Sequence, residues 1–378
     1  MPILPGATIG IMGGGQLGRM TAMAARALGY HVQALDPDPS CAARFVVDRC
    51  LTAAFDDAEA AAELAKQCQV VTLEIEKVGL SALETASRFA PVRPSPRVLS
   101  VVQDRGAQRQ WLSEHGFPQG PWRLARSAAE LSAAARDLGG RVFVKACQGG
   151  YDGRGQEQLD SASRADQVWK TLGEAPCVVE QALALEEELS VLVARSPRGE
   201  VAVYPPALNH HVHRVLDWSL LPGPFGQSLV GEATSLARRL AEELHVEGLL
   251  VVELFHSQGQ LFVNELAPRP HNTFHSTEVG CVTSQFEQLV RAVCDLPLGS
   301  TEVTRPAAIV NLLGDLWEGA PPAFDRALAI PGVRVHLYGK RVARPGRKMG
   351  HLSAVGRTPE EALERVEKAR SVLTRSQR

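Results

Sequence analysis

An α/β and α+β architecture that opens with a doubly wound parallel sheet is predicted by three observations. Strand-like and helix-like segments alternate over residues 1 to about 90, the rhythm of βαβ units. A glycine-rich turn, GGGQLG, joins the first strand to the first helix and places Gly13, Gly15 and Gly18 in the spacing G-x-G-x-x-G. From about residue 100 the alternation gives way to runs of strands, two of them joined by the hairpin signal SQGQ.

The first strand is ATIGIM (7–12). The run LGRMTAMAARALGY (17–30) reads as a helix with Met20, Ala24, Ala27 and Leu28 on one face and Gly29 at its end. HVQALD (31–36) is a second strand, and it delivers Asp36 about where a dinucleotide-binding, Rossmann-like fold carries its ribose acid. The Ala-rich helix AAFDDAEAAAELAKQC (53–68) and the strand QVVTLEI (69–75) continue the alternation. The proline-rich stretch APVRPSP (90–96) is the expected linker.

Next come a helix, QDRGAQRQWLSEHG (103–116), and the strands RVFVKA (141–146), CVVEQA (177–182), LSVLVAR (189–195) and EVAVYPPAL (200–208). The helix TSLARRLAEELHV (234–246) precedes the hairpin strands LLVVELF (249–255) and QLFVNEL (260–266). A second break, LPLGSTEVTRP (296–306), leads to the short strands AAIVNLL (307–313) and VRVHLYG (333–339). The closing helix starts in a capping box, with Thr358 as N-cap, Pro359 at N1 and Glu361 at N3, and buries Leu363, Val366 and Leu373. The expected domains are therefore 1–97, 98–297 with a flap subdomain at about 118–185, and a small C-terminal domain, 298–378.

Composition narrows the function classes. The 378 residues are 45% hydrophobic and 22% charged with a net charge of −2, so no polyanion-binding surface dominates and nucleic acid is not an expected partner. Seven cysteines without a C-x-x-C pair read as reduced thiols. The N-terminus lacks a signal-peptide pattern and no apolar run is long enough to span a bilayer, so a cytoplasmic protein with no membrane contact and small-molecule substrates is expected.

The first glycine loop establishes only that an anion can approach N–H groups at a helix N-terminus. It is compatible with a dehydrogenase, but also with other phosphate ligands. The second glycine-rich run, KACQGGYDGRGQ (145–156), is not a Walker loop, because its lysine precedes the glycines. A lysine at a strand end followed by a flexible flap suits a polyphosphate held between strands.

The hairpin adds a pair of acids. With a three-residue loop centred on Gly259, Glu253 and Glu265 face each other on one side of the sheet. Like charges among apolar neighbours need a cation, and oxygen ligands beside a phosphate suit Mg²⁺. Asn264 points to the other face unless the strand is bulged. In CVVEQALALEEELSV, the backbone after Glu180 can meet an adenine edge and Glu188 can reach ribose hydroxyls.

In their order, GGGQLGRM, GGYDGRGQ, VVEQ, VVELF, NELAPRPHN and RPGRKMGHL resemble the ATP-grasp enzymes over nearly the whole chain. Within them the resemblance is to the 5-(carboxyamino)imidazole ribonucleotide synthase family of ATP-dependent carboxylases. It implies an ATP-grasp fold, ATP and Mg²⁺ as cofactors, a homodimer, and carboxylation of aminoimidazole ribonucleotide by bicarbonate through carboxyphosphate.

Position by position, it implies a nucleotide site of Arg105, Lys145, the flap Gly150, Tyr151, Asp152, Gly153, Arg154, Gly155 and Gln156, and the connector Glu180, Gln181, Ala182 and Leu183. Glu188, His211, Asn264 and Glu265 complete it, with Glu253 and Glu265 on the metal. Tyr151, Arg154, Arg269, His271 and Asn272 are implied for the carboxylation chemistry. Gly15, Gln16 and Leu17 would take the ribonucleotide phosphate with Lys340, Arg347 and Lys348, and Glu76, or else Glu74, its ribose. Departures from the family pattern fall at Gly106, Arg109, Cys147, Gln148 and Asp217. A formate-dependent glycinamide ribonucleotide transformylase, a dehydrogenase and a non-catalytic nucleotide-binding module are the alternatives.

Overall fold

A computed structural model describes residues 1–149 and 155–374. The first sheet is wholly parallel, ordered β3-β2-β1-β4, from β1 (Thr8–Met12), β2 (His31–Leu35), β3 (Arg49–Leu51) and β4 (Val70–Leu73). Between these strands run α1 (Gln16–Ala27) and α2 (Ala58–Lys66), with α3 (Leu80–Ala86) after β4. Alternate residues feed opposite faces: Ile9, Ile11 and Val32 pack with Ala22 and Ala25 of α1, whereas Met12, Leu35 and Leu73 pack with Leu64 and Leu83 of α2 and α3. Buried on both faces, this sheet is doubly wound.

After α4 (Pro96–Val102) and α5 (Arg105–Glu114) comes a small antiparallel sheet, order β5-β8-β6-β7. It contains β5 (Trp122–Ala125), α6 (Ala128–Asp137), β6 (Val142–Ala146), β7 (Gln156–Leu159), α7 (Ala165–Thr171) and β8 (Cys177–Gln181). Its own core of Leu131, Val142, Val144, Leu159 and Val179 separates it from the larger layers.

The third sheet has nine strands. It is built from β9 (Glu187–Arg195), β10 (Val201–Val203), β11 (Ala207–Val212), β12 (Val215–Leu221), and, beyond α8 (Gln227–Glu243), β13 (Gly248–Ser257) and β14 (Gln260–Ala267). Then follow α9 (Thr277–Gly280), α10 (Gln285–Val293), β15 (Ala307–Leu313), α11 (Phe324–Leu328), β16 (Val333–Leu337), β17 (Lys348–Val355) and α12 (Pro359–Ser371). The order β14-β13-β9-β11-β12-β15-β17-β16, with β10 paired to β9 beside this path, carries the sheet across the proline-containing stretch 296–306, because β12 pairs with β15.

Two expectations are corrected, one at the start of α12 and one along α1. Thr358 Oγ1 accepts from the Glu361 N–H at 3.2 Å, but the Glu361 carboxylate reaches the N–H of Arg357 rather than that of the N-cap. Along α1 the buried residues are Leu17, Gly18, Met20, Thr21, Ala22 and Ala25, so of the expected face Met20, Ala24, Ala27 and Leu28 only Met20 is fully buried. That face instead borders a cavity of about 230 Å³ shared with Phe286 and His336. The first helix is sandwiched between its own sheet and α10, and the second contact rotates the buried stripe.

Candidate active site

Glu253 and Glu265 are opposed across the β13–β14 hairpin. The route to that register differs from the expected one. The turn holds two residues, Gln258 and Gly259, both at positive φ (52° and 71°), and Ser257 pairs with Gln260. A β-bulge between Glu253 and Leu254 then restores the offset. Asn264 is the extra residue, so its side chain turns into the site: Nδ2 donates to Glu253 Oε2 at 3.2 Å and Oδ1 accepts from Lys145 Nζ at 3.1 Å.

Lys145 at the end of β6 also pairs with Glu180 Oε2 at 2.7 Å, and Arg109 of α5 holds the other oxygen at 2.6 Å. Burial alone would raise the Glu180 carboxyl, but Lys145 and Arg109 hold it down at about 2. Arg109 donates further to the carbonyls of Val263 and Asn264 at 2.7 and 2.9 Å, which fastens the bulge to α5. In the sequence Arg109 stands out only as a departure from the family pattern. Its fork geometry, which lysine lacks, lets it hold an acid and two carbonyls together.

Glu253 is compensated less, by the charges of His211 and Lys145 with no contact ion pair to either. Burial raises its carboxyl to about 7, and Glu265 opposite adds to the rise. His271 Nε2 lies 3.4 Å from Glu253 Oε1 and is kept neutral, chiefly by burial and then by Arg269. His211 meets Glu188 at 2.7 Å; burial disfavours its charge, but Glu188 outweighs this and raises its pKa. Arg105 Nη2 stands 3.9 Å from Glu265. An acid pair of oxygen donors with surplus negative charge suits a hard divalent cation.

The glycine loop ahead of α1 is wrapped around a protein carboxylate. Glu74 accepts from the N–H of Gly15 at 2.7 Å and of Gly18 at 2.9 Å, and Asp36 accepts from Gly14 at 2.7 Å. A Cβ on Gly15 would sit 2.4 Å from Glu74 Oε1, and one on Gly18 would sit 2.4 Å from the Gly13 carbonyl. These close approaches require the glycines without any dinucleotide. They also correct the expected anion cap: the Gly15 N–H is taken, while those of Gln16 and Leu17 have no partner among the described residues. With both Glu74 oxygens engaged, Glu76 is the acid left at this strand end, paired with Arg269 Nε at 2.7 Å.

Three distant segments meet at Gln16. Its Oε1 accepts from Lys340 Nζ at 2.6 Å and its Nε2 donates to Asn272 Oδ1 at 3.0 Å. Lys340 also donates to the carbonyl of Lys348, which is buried in β17. Arg347 donates to the Val342 carbonyl at 2.9 Å.

The flap residues Gly150, Tyr151, Asp152, Gly153 and Arg154 lie outside the described residues. Gly155 lies at positive φ and Gln156 opens β7, paired with Lys145. In the connector, the Gln181 and Ala182 N–H groups donate to Pro121 and Arg141, and that of Leu183 has no partner among the described residues. The departures have partners within the fold. A Cβ on Gly106 would stand 3.4 Å from Cys147 Sγ, Gln148 bonds Asp104 at 3.1 Å, and Asp217 pairs with Arg370 of α12.

A lysine, an arginine and two opposed acids converging between two antiparallel sheets, behind a parallel-sheet domain, define an ATP-grasp ligase. Residues 110–286 match the ATP-grasp domain family, residues 6–103 the ribonucleotide synthetase preATP-grasp domain, and residues 307–365 the phosphoribosylaminoimidazole carboxylase C-terminal domain. The N5-carboxyaminoimidazole ribonucleotide synthase of Brucella melitensis is 41% identical over 354 residues, 93% of this chain and 97% of that one. The Bacillus subtilis enzyme of the same name is 37% identical, covering 96% and 95%. A crystal structure of the ADP complex of an N5-carboxyaminoimidazole ribonucleotide synthetase superposes with a TM-score of 0.93 at 39% identity, covering 98% and 97%. An Aspergillus clavatus synthase in complex with ADP and 5-aminoimidazole ribonucleotide gives 0.90 at 31% identity, covering 97% and 98%. The chain belongs to the N5-carboxyaminoimidazole ribonucleotide synthase family.

Proposed function

We propose that this chain couples cleavage of ATP to carboxylation of 5-aminoimidazole ribonucleotide by bicarbonate, yielding N5-carboxyaminoimidazole ribonucleotide, ADP and phosphate. One observation carries the reading. The cation–acid network Lys145–Asn264–Glu253 reaches His271, and the next residue, Asn272, bonds Gln16 at the head of α1. A nucleotide half and a monophosphate half therefore adjoin.

Lys145 and Arg105 would orient the transferring phosphoryl group, the connector through Leu183 the adenine, and Glu188 with His211 the ribose. Glu253 and Glu265, with Asn264 between them, fit Mg²⁺, which supplies charge neutralisation at the phosphates when bound. A bicarbonate oxygen attacks the γ-phosphorus, the bond to ADP breaks, and carboxyphosphate forms. The exocyclic amine then takes the carboxyl carbon, losing a proton and releasing phosphate. Arg269 would clamp the bicarbonate anion. The N–H groups of Gln16 and Leu17 with Lys340, Arg347 and Lys348 would hold the 5′-phosphate, and Glu76 the ribose hydroxyls. Tyr151 and Arg154 would close over the site. The same proposal extends to a homodimer in the cytoplasm, which light scattering and fractionation check.

Phosphate release, measured with ATP, bicarbonate and aminoimidazole ribonucleotide and omitting each in turn, tests the reading. Release only with all three is expected. Formate-dependent release with glycinamide ribonucleotide would replace it by the transformylase.

A further inference from the structure

A buried polar cluster adjoins the site without belonging to it. His275 stacks on His351 with ring centroids 4.4 Å apart and planes within 5°, and His351 stacks on His336 at 5.2 Å and 10°. Tyr338 Oη lies 3.3 Å from His275 Nε2 and 3.0 Å from His351 Nδ1. Tyr338, His275 and His351 come from three separate segments and are almost wholly buried. His275 Nε2 is also 3.2 Å from Asn272 Oδ1.

Proton positions along this chain follow from one fixed charge. The Lys340 ammonium can only donate, so the amide oxygen of Gln16 must face it and the Gln16 amide nitrogen must face Asn272. Asn272 then presents its oxygen to Gln16, and the same oxygen requires a proton on His275 Nε2. That leaves His275 Nδ1 bare, and it is a buried atom with no hydrogen-bond partner among the described residues. The Nε2–H of His275 is shared with Tyr338 Oη, so the Tyr338 proton goes to His351 Nδ1, and His351 carries its own on Nε2. Burial holds all three imidazoles uncharged.

His275, Glu278 and His351 bring ligand atoms close enough to suggest a metal, but the stack argues otherwise. In-plane lone pairs of rings parallel to within 5° run side by side and do not converge on one ion. Glu278 Oε2 is 3.9 Å from His351 Nε2, at the outer edge of the cluster.

We propose that Tyr338, His275 and His351 are positioning residues whose hydrogen-bond chain, polarised from Lys340, locks the Asn272 amide with its oxygen turned to Gln16 and His275 and its NH₂ left for the ribonucleotide. This rests on the placement of Asn272 in the carboxylation site. Among the described residues Asn272 Nδ2 has no partner, as a group reserved for a ligand should.

Two measurements test the relay. Long-range ¹⁵N–¹H correlation spectra of the unliganded protein should show His275 and His351 as neutral Nε2–H tautomers; an Nδ1–H tautomer or an imidazolium at His275 overturns the proposal. This readout needs no substrate, so it stands or falls apart from the proposed reaction. In steady-state kinetics His275→Leu should raise the KM for aminoimidazole ribonucleotide about ten-fold and leave that for ATP unchanged. His275→Gln, whose amide nitrogen can occupy the Nε2 position, should restore it to within about two-fold. Equal behaviour of the two variants, equal loss for ATP, or a stoichiometric metal ion that moves the His275 and His351 resonances would each overturn it.

Discussion

Glu74 and Glu253 are both buried carboxyls raised by burial, yet their surroundings differ. Glu74 sits at the N-terminus of α1 and accepts two backbone N–H bonds, which offset part of the cost of its burial from within the chain. Glu253 faces a second carboxylate, and its nearest imidazole is held neutral. A buried acid that the chain satisfies by itself holds the fold; one set against its like is kept for a ligand. Loss of Glu74 should therefore register in stability, and loss of Glu253 or Glu265 in activity.

The largest separation is expected from Glu265→Gln, which should lower turnover by about 10²–10³-fold, as removal of transition-state charge stabilisation does. Its urea midpoint should not fall, since a repulsion is relieved. Near-normal turnover at ordinary Mg²⁺ would contradict the assignment. Glu74→Ala should do the reverse through folding, destabilising by about 2–4 kcal/mol as two buried donors lose their acceptor. Urea denaturation followed by circular dichroism checks it, and an unchanged midpoint would mean that Glu74 does not hold the fold.

Protonation gives a third separation. The Glu253 carboxyl titrates at about 7 in the folded protein against 4.5 for the free group. Its contribution to stability is thus complete below pH 4.5 and is lost as pH rises through 7 when no cation is present. Glu253→Gln should therefore melt higher than wild type at pH 8 without Mg²⁺. Mg²⁺–ADP favours the ionised form, so below about pH 7 its affinity should drop by up to about ten-fold per pH unit. Calorimetry in buffers of different ionisation enthalpy should register the released proton. The smallest effect falls on the other half of the cleft: Lys348→Ala should raise the KM for aminoimidazole ribonucleotide about ten-fold, with that for ATP unchanged.

Much of the fold is legible in the sequence because it is local. Alternation marked the parallel sheet, and Thr358 with Pro359 marked the closing helix. The facing of Glu253 and Glu265 was legible for an incomplete reason: a shorter turn and a bulge offset one another, and the bulge is held by Arg109 from a distant helix. The spacing G-x-G-x-x-G announced an anion at a helix terminus without revealing that it includes Glu74, 59 residues beyond Gly15. The Tyr338 cluster left no pattern, since its rings arrive from segments that only the finished sheet brings together. Contacts of that range have no period in the sequence.

On the proposed function, nucleotide and ribonucleotide occupy separate halves of the cleft, the hairpin acids serving one and the head of α1 with Lys348 the other. Crossed calorimetric titrations test it most directly: Mg²⁺–ADP and aminoimidazole ribonucleotide, each into wild type, Glu265→Gln and Lys348→Ala. Glu265→Gln should lose the nucleotide and keep the ribonucleotide, and Lys348→Ala should weaken the ribonucleotide alone. Loss of the opposite ligand in either variant, or of both ligands in each, would contradict it.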